Sequence, residues 1–296
     1  MSNIASHFFI MALAFIPRCN LRINKPCGRV PSGMSCVPGG YFIRGADKKL
    51  KNQRPVAVVW TDTFFMDKYE VTVGQYESCV KSGKCQHQKT YYPGYSGEKQ
   101  PKVGVSWLAA HNYCRVHGKR LPAEAEWEKA ARGPDGEQYP WGNSPLDCTK
   151  AVIKDKRGRG CGKKGFKPGK GVTWKVGSKP VGRYGLYDMI GNADEYVNDW
   201  YSFSYHECGE DCLGYNPQGP CGGRGRKTCK GNNLKVVKGG SWYWGAKHCY
   251  GSYRRGQNIY NSKPYHHFGF RCARDSKTSL DRFIDLINNL LKKMKI

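Results

Sequence analysis

Fourteen cysteines in a chain of 296 residues constrain the fold more than any other feature of this sequence. Several stand in close pairs along the chain: Cys79 and Cys85, Cys148 and Cys161, Cys208 and Cys212, and Cys221 and Cys229. No pair belongs to a double CxxC motif or has histidines at zinc spacing, so the pattern disfavours a zinc ribbon. Disulfides formed in an oxidising compartment explain it better, and we predict an extracytoplasmic protein, either periplasmic, secreted or at the cell surface.

The N-terminal sequence also favours export. Residues 8–16 form an apolar run of signal-peptide length, although no Lys or Arg precedes it and Pro17-Arg18-Cys19 is a poor cleavage or lipidation sequence. We interpret residues 1–19 as an export segment and residues 20–35, which are rich in Pro, Gly and Arg, as a linker. No stretch of the sequence is long and apolar enough to span a bilayer.

The C-terminal residues 276–296 predict an amphipathic helix. Thr278 and Asp281 form a capping box, and apolar side chains recur at helical spacing from Leu280 to Met294. Such a helix either docks back on the domain or makes a peripheral contact with a membrane or a partner, and both roles stay open.

The chain is strongly basic, with 49 Lys and Arg against 23 Asp and Glu and a formal net charge of +26. This charge either keeps the protein dispersed or attracts anionic partners such as acidic glycans, lipopolysaccharide or sulfated substrates. Nucleic acid is disfavoured, because the basic insertion at 154–170 carries a single aromatic residue, Phe166, and because export and disulfides fit poorly with such a partner. We expect a solvated loop pinned by Cys148 and Cys161.

Three helices are predicted in the first half of the domain. Thr72 and Gln75 form a capping box for the first, and Ser106 is an N-cap for the second, which begins at Trp107. The third, over 123–132, has acidic residues in its first turns and Gly133 just after its end. A strand interrupted by glycine turns is predicted at 36–45, and further strands are predicted at 56–60, 63–66 and 234–237.

The segment from Lys238 to Cys272 is predicted to form the functional surface. Gly239 and Gly240 permit positive φ or close backbone approach, and about thirty residues without an acidic side chain follow. Rigid aromatic and adaptable polar side chains together are typical of binding surfaces. The candidate ligand-binding residues are Trp244, His248, Tyr250, Tyr253, Arg254 and Arg255.

Eight blocks, in order, carry a family resemblance. They include Gly-Lys-Arg-Leu-Pro-Ala-Glu-Ala-Glu-Trp-Glu at 118–128, Gly-Leu-Tyr-Asp-Met-Ile-Gly-Asn at 185–192 and Gly-Gly-Ser-Trp at 239–242. The others lie at 38–40, 67–72, 105–107, 139–142 and 269–271. Over residues 36–275 the chain resembles the formylglycine-generating enzyme (sulfatase-modifying factor) family. The resemblance implies an irregular, loop-rich α+β fold that is C-type-lectin-like, with little regular secondary structure.

The resemblance also implies a copper(I) site made by two cysteines five residues apart, which would oxidise a cysteine of a peptide, such as that of a sulfatase, to formylglycine with O₂. Cys249 stands at the second position, but Trp244 stands at the first and cannot bind copper. Ser241 keeps the place of the family's active-site serine, whereas Gly245 replaces an expected histidine. Cys249 and Ser241 are thus the catalytic candidates, with Cys249 alternatively a free or disulfide-bonded loop cysteine.

Two structural features follow from the same resemblance. It implies a disulfide between Cys114 and Cys272, and a structural calcium site formed by the side chains of Asp188 and Glu195 with the carbonyl groups of Gly191 and Ala193. As the alternative, the two carboxylates cap local backbone N–H groups.

Two functions are therefore weighed for a chain that we expect to be monomeric. The first is a binding or accessory protein for an anionic glycan or peptide. The second is an enzyme, either a divergent formylglycine-generating oxidase or a protein that uses Cys249 with His248 as base. His266 and His267 could bind a metal, but in a strand they would point to opposite faces.

Overall fold

The computed structural model describes residues 27–89, 93–163, 171–221, 229–260 and 265–276. These ranges contain four α-helices: α1 (Val73–Lys81), α2 (Trp107–Val116), α3 (Glu124–Arg132) and α4 (Tyr205–Cys208). They also contain nine strands: β1 (Met34–Val37), β2 (Gly40–Arg44), β3 (Ala57–Thr61), β4 (Phe64–Asp67), β5 (Asp194–Trp200), β6 (Leu234–Lys238), β7 (Arg254–Asn258), β8 (Phe268–Gly269) and β9 (Ala273–Asp275). Short 3-10 turns lie at Lys51–Gln53, Arg159–Gly162, Arg183–Gly185, Gly209–Cys212 and Ala246–His248. The predicted loop-rich α+β fold is confirmed.

Local capping signals begin the first two helices as predicted. The Thr72 hydroxyl accepts from the Gln75 amide at 3.2 Å, and the Gln75 side chain accepts from the Thr72 amide at 2.9 Å. Ser106 accepts from the Ala109 amide at 3.2 Å. These bonds satisfy donors that the first turn of a helix leaves unpaired.

The third helix, α3, begins without a capping hydroxyl, because Ala123 occupies its N-cap position. Its own Glu126 carboxylate accepts from the Ala123 amide at 2.8 Å. In addition, the carboxylate of Asp199, on β5, accepts from the Glu124 amide at 2.8 Å. A contact between distant parts of the chain thus replaces the missing side-chain cap.

The sheet that positions the functional segment has the strand order β7-β6-β5-β8. Strands β6 and β7 are antiparallel neighbours, so residues 239–253 form a long loop between them. Strand β8 pairs in parallel with the start of β5 through Asp194 and Phe268. The remaining strands form a three-stranded sheet, β1-β4-β9, and a two-stranded sheet, β2-β3.

Six disulfides cross-link the described residues. They join Cys27 to Cys36, Cys79 to Cys85, Cys114 to Cys272, Cys148 to Cys161, Cys208 to Cys212 and Cys221 to Cys229. The implied bond between Cys114 and Cys272 is therefore confirmed, and it ties α2 to the chain just before β9 across 158 residues. The number of disulfides is typical of a protein that matures outside the reducing cytoplasm.

The predicted export segment at 1–19 and nearly all of the predicted C-terminal helix lie outside the described residues. Strand β1 begins at Met34, at the end of the predicted linker. Among the helices of the described residues, none combines the length and the apolar character needed to cross a membrane.

Candidate functional site

Two glycines turn the chain from β6 into the loop. Gly239 and Gly240 have φ of 91° and 71°, which confirms that both adopt positive φ. A Cβ atom on Gly240 would lie 2.4 Å from the carbonyl oxygen of His248 and 2.6 Å from the sulfur of Cys249. Only glycine therefore lets the loop fold back with Cys249 packed directly against its beginning.

Cys249 is fully buried and is a free thiol. Its Sγ donates to the carbonyl oxygens of Trp244 at 3.5 Å and Ser241 at 3.8 Å. Burial raises the pKa of the Cys249 thiol far above its usual range, and the charge of Asp194 adds to the rise. The thiol is thus neutral and buried, and of the two alternatives for a loop cysteine, free or disulfide-bonded, the structure shows the free one.

A two-thiolate copper site does not fit these residues. Every other cysteine in the described ranges is part of a disulfide, so Cys249 has no second thiol beside it there. Trp244 occupies the position of the missing cysteine and stays in contact with Cys249 through its carbonyl group. His248 Nδ1 lies 3.1 Å from the hydroxyl of Tyr253, while the thiol of Cys249 donates to backbone carbonyl groups.

A pocket of about 460 Å³ opens outside this buried thiol. Tyr243, Trp244 and His248 form its aromatic wall, and the Trp244 and His248 ring centroids are 5.1 Å apart. The Arg159 guanidinium lies 3.6 Å from the Tyr243 ring centroid. The remaining lining residues are Lys154, Asp155, Gly245, Ala246 and Lys247. Cationic side chains therefore outnumber the single acidic one around an aromatic surface.

Of the six predicted ligand-binding residues, two line the pocket and the other four are buried or partly buried. Trp244 and His248 line the pocket. Burial lowers the pKa of His248, and the charges of Arg255 and Lys247 lower it further. Arg255 is partly buried, with its guanidinium 5.4 Å from the Trp244 ring centroid. Tyr250 and Tyr253 are buried behind the wall, and Tyr250 accepts from Gln53 at 2.8 Å.

Arg254 requires a correction, because it is fully buried rather than exposed. Its guanidinium forms two bonds with the Glu124 carboxylate, at 2.7 and 2.9 Å. The neighbouring Glu128 accepts from Lys238 at 2.9 Å and from Arg132 at 2.6 Å. These ion pairs attach the ends of both β6 and β7 to α3, so Arg254 holds the loop in place and does not face a ligand.

Burial would by itself raise the pKa of both glutamates. Arg254 and Lys238 outweigh burial at Glu124 and lower its pKa, while Lys238 and Arg132 lower that of Glu128 to about 2. Both carboxylates are therefore ionised at neutral pH, and the ion pairs are complete.

Asp194, which sequence reasoning missed, lies fully buried behind Trp244. Burial raises the pKa of Asp194 to about 6, although Arg255, Ser241 and Trp244 each lower it. Ser241 is also fully buried. Within the described residues, no group reaches full hydrogen-bond geometry with the Asp194 carboxylate, and the nearest nitrogens of Arg255 and His267 are 4.0 Å away. Buried polar groups with incomplete partners are concentrated at functional sites.

His266 and His267 belong to a turn before β8, not to a strand, and their ring centroids are 5.4 Å apart. His267 accepts from Arg255 at 3.1 Å, and burial lowers its pKa to about 2, with Arg255 contributing. Across the described ranges, no group of three or more His, Cys, Asp or Glu side chains is placed to hold a metal ion.

Glu195, one of the predicted calcium ligands, is already bonded on both oxygens. Arg271 donates to it at 2.7 to 2.9 Å, and the Trp127 indole donates at 2.7 Å. Asp188 accepts from the Gly177 amide at 2.6 Å. Asp188 thus caps a backbone N–H group, as in the alternative, whereas Glu195 is bonded to side chains that lie 68 and 76 residues away in the sequence.

Excess negative charge nevertheless surrounds this turn. Glu70, Asp188 and Glu195 are buried with one guanidinium, that of Arg271, between them. Burial raises the pKa of Asp188 to about 6 despite the Gly177 amide and Arg271, and the charge of Glu195 adds to the rise. Hard oxygen ligands suit calcium, but within the described residues these three carboxylates do not form a group placed to hold a metal ion. Calcium binding through Asp188, Gly191, Ala193 and Glu195 stays a prediction.

The sequence did not indicate that Arg159 and Lys154 belong to the pocket, because both lie in a segment predicted to be a solvated loop. The Lys154 amide donates to the Trp244 carbonyl at 2.8 Å, and the Gly160 amide donates to the Trp242 carbonyl at 2.8 Å. The pairing of Cys148 with Cys161 is the sequence feature that could have indicated this placement, because the disulfide restricts where the loop between them can lie.

Comparison with known proteins gives consistent matches. A family model described as a sulfatase-modifying factor enzyme 1-like domain matches residues 23–276. The formylglycine-generating enzyme of Bos taurus is 30% identical, over 87% of this chain and 80% of its own. The serine/threonine-protein kinase pkn1 of Chlamydia caviae is 30% identical over 82% of this chain, which spans only 38% of that kinase.

Two solved structures share the fold. PvdO from Pseudomonas aeruginosa superposes with a TM-score of 0.64 at 23% identity, over 82% of this chain and 94% of its own. Treponema denticola variable protein 1 superposes with a TM-score of 0.63 at 20% identity, over 85% and 98%. At these identities the likeness concerns architecture alone.

Proposed function

Because this chain belongs to the sulfatase-modifying factor family, we propose that it uses the family's fold as an exported binding or accessory protein for an anionic glycan or peptide. The ligand would enter the pocket walled by Tyr243, Trp244 and His248. One observation carries the proposal: the aromatic wall and three cations, those of Lys154, Arg159 and Lys247, converge on one open cavity.

The position of Cys249 supports binding rather than oxidation. A copper(I) oxidase of the kind found in this family needs two thiolates, and soft metal ions require such ligands. Here one thiol is buried and neutral, and a tryptophan occupies the other position. Trp244 instead contributes a large flat surface to the pocket.

A glycan array read at low and at high salt tests the proposal. We expect acidic glycans to bind and salt to weaken them, because the attraction is between exposed charges. Trp244→Ala should reduce affinity by about tenfold, since aromatic side chains dominate binding energies. Phe203→Ala, which removes another exposed aromatic ring, is the control. An array without any salt-sensitive ligand would count against a glycan.

The family's own chemistry is the second candidate, favoured by the 30% identity to the bovine formylglycine-generating enzyme and by the retained Cys249. Incubation of the protein with a Cys-X-Pro-X-Arg peptide, copper(I) and O₂, followed by mass spectrometry, decides between the two. Formylglycine production that Cys249→Ser abolishes would replace the binding proposal with the oxidase.

Export, as part of the proposal, is tested by thiol alkylation of protein taken from fractionated cells without reduction. We expect the protein outside the cytoplasm with its paired cysteines unreactive. A fully alkylated cytoplasmic protein would contradict export.

A further inference from the structure

A second basic pocket, of about 390 Å³, lies beside the first. One loop, residues 155–163, contributes to both, because Asp155 and Arg159 line the first pocket and Lys163 lines the second. Between them, the Gly160 carbonyl accepts from the indole of Trp174, a wall residue of the second pocket, at 3.0 Å. The two cavities therefore share a common ridge.

Trp174 is held firmly in this wall. Its amide donates to the Asn192 side chain at 2.9 Å, and its indole is fixed by Gly160. The ammonium groups of Lys179 and Lys163 lie 4.4 and 5.4 Å from its ring centroid. The second pocket thus repeats the combination of an aromatic ring with nearby cations that defines the first.

The charge of the second pocket is not balanced. Lys99, Lys163 and Lys175 are exposed around it, and none forms an ion pair with another described residue. Glu98 is the single acidic residue of its lining. Free ammonium groups around a cavity favour an anion.

The spacing of the pockets sets the kind of ligand that could fill both. Arg159 and Lys163 are four residues apart, so their Cα atoms are separated by at most about 14 Å. The lining residues belong to loops rather than to strands, which leaves no edge for a peptide to extend by strand pairing. Flat rings and ammonium groups instead suit sugar rings that carry sulfate or carboxylate.

We propose that the two pockets are subsites of one groove for an acidic oligosaccharide, with the Trp174 pocket binding the sugars beyond the Trp244 pocket. This inference rests on the proposed function of the first pocket. A short fragment would occupy only the Trp244 pocket, whereas a longer one would reach across the Arg159 ridge into the second.

The test compares heparin-derived fragments of increasing length by isothermal titration. In the unchanged protein, affinity should rise with length, and the triple variant Lys99→Ala, Lys163→Ala, Lys175→Ala should lose about tenfold for the longest fragments while binding the shortest normally. Uronic acid oligomers without sulfate distinguish carboxylate from sulfate recognition. The control is Lys48→Ala, Lys81→Ala, Lys84→Ala, which removes the same charge from exposed sites elsewhere.

The outcomes separate the two proposals. If both triple variants lost the same affinity for long fragments, net charge alone would attract the ligand. If the Lys99, Lys163 and Lys175 variant still bound longer fragments more tightly, to the same degree as the unchanged protein, the second subsite would also be overturned. Failure of the unchanged protein to bind even short fragments, or binding that Trp244→Ala leaves intact, would refute the Trp244 pocket itself. Binding of an acidic peptide with the same sensitivity to the lysines would replace the oligosaccharide.

Discussion

Asp194 gives the site a dependence on pH. Its folded pKa of about 6 lies above the ordinary value of 3.8, so the folded protein binds the proton more tightly than the unfolded chain. Stability attributable to Asp194 therefore rises as pH falls from about 7 towards 4, by no more than about 3 kcal/mol. Asp194→Asn should stabilise the protein at pH 7.5, and this advantage should shrink at pH 5.

Thermal unfolding of both proteins across this range measures the effect. Comparing the variant with the unchanged protein at each pH isolates Asp194 from other buried carboxylates, such as Asp188, that titrate nearby. If the stability gain of Asp194→Asn over the unchanged protein instead became larger at lower pH, the folded protein would have to favour the ionised carboxylate.

Gly240 packs directly against the far end of the loop that it begins. Gly240→Ala combines a positive φ with clashes against His248 and Cys249, so we expect a loss of about 3 kcal/mol in the free energy of unfolding. Gly83→Ala is a matched control, because Gly83 has a φ of 73° and no atom within 4 Å of the added Cβ. Urea unfolding should show a cost of about 1 kcal/mol there. If the two variants lost the same unfolding free energy, the contacts of Gly240 with His248 and Cys249 would not contribute to stability.

Helix α3 acts as the support of the loop at the scale of elements. Glu124→Ala leaves the guanidinium of Arg254 buried without its carboxylate, and we expect a loss of about 3–5 kcal/mol. Glu210→Ala removes an exposed carboxylate and should cost less than about 0.5 kcal/mol in the same urea titration. A small effect at Glu124 would show that water reaches Arg254.

The turn from Asp188 to Glu195 yields the prediction on calcium. If calcium binds, it relieves the repulsion among the buried carboxylates, so EDTA should lower Tm and added calcium should restore it. Asp188→Asn should remove this response. An unchanged Tm after EDTA would rule out a stabilising site.

Local signals made some of these elements predictable. The hydroxyls of Thr72 and Ser106 mark helix starts because their bonds close within three residues. The burial of Arg254 could not be predicted in this way, because its partner Glu124 lies 130 residues earlier. Strand alternation indicates that Arg254 and Arg255 face opposite sides, but only the position of α3 decides which one points inward.

At the scale of the whole molecule, one disulfide joins parts of the chain that lie far apart in sequence. The disulfide between Cys114 and Cys272 spans 158 residues, whereas that between Cys208 and Cys212 spans 4. In the loop-entropy model, removing the first by a double Cys→Ala change costs about 5 kcal/mol, and removing the second costs about 2 kcal/mol. Urea unfolding of the two double variants compares them, and a larger loss for the short loop would contradict the model.

At this scale the family blocks identified the fold, and the composition of residues 238–272 indicated the candidate segment, but neither revealed the pocket. Its cationic side comes from Lys154 and Arg159, which reach Trp244 and Tyr243 only after the chain has folded. No periodicity in the sequence records such a contact between two loops.

Lys238 and Arg254 anchor the two ends of the loop to α3, while Tyr243, Trp244 and His248 face outward between them. Support and recognition are thus assigned to different side chains. Mutations at the outward positions can change which ligand binds, because the ion pairs of Lys238 and Arg254 keep the backbone of the loop in the same conformation. Binding specificity can therefore evolve at this loop without a change of fold.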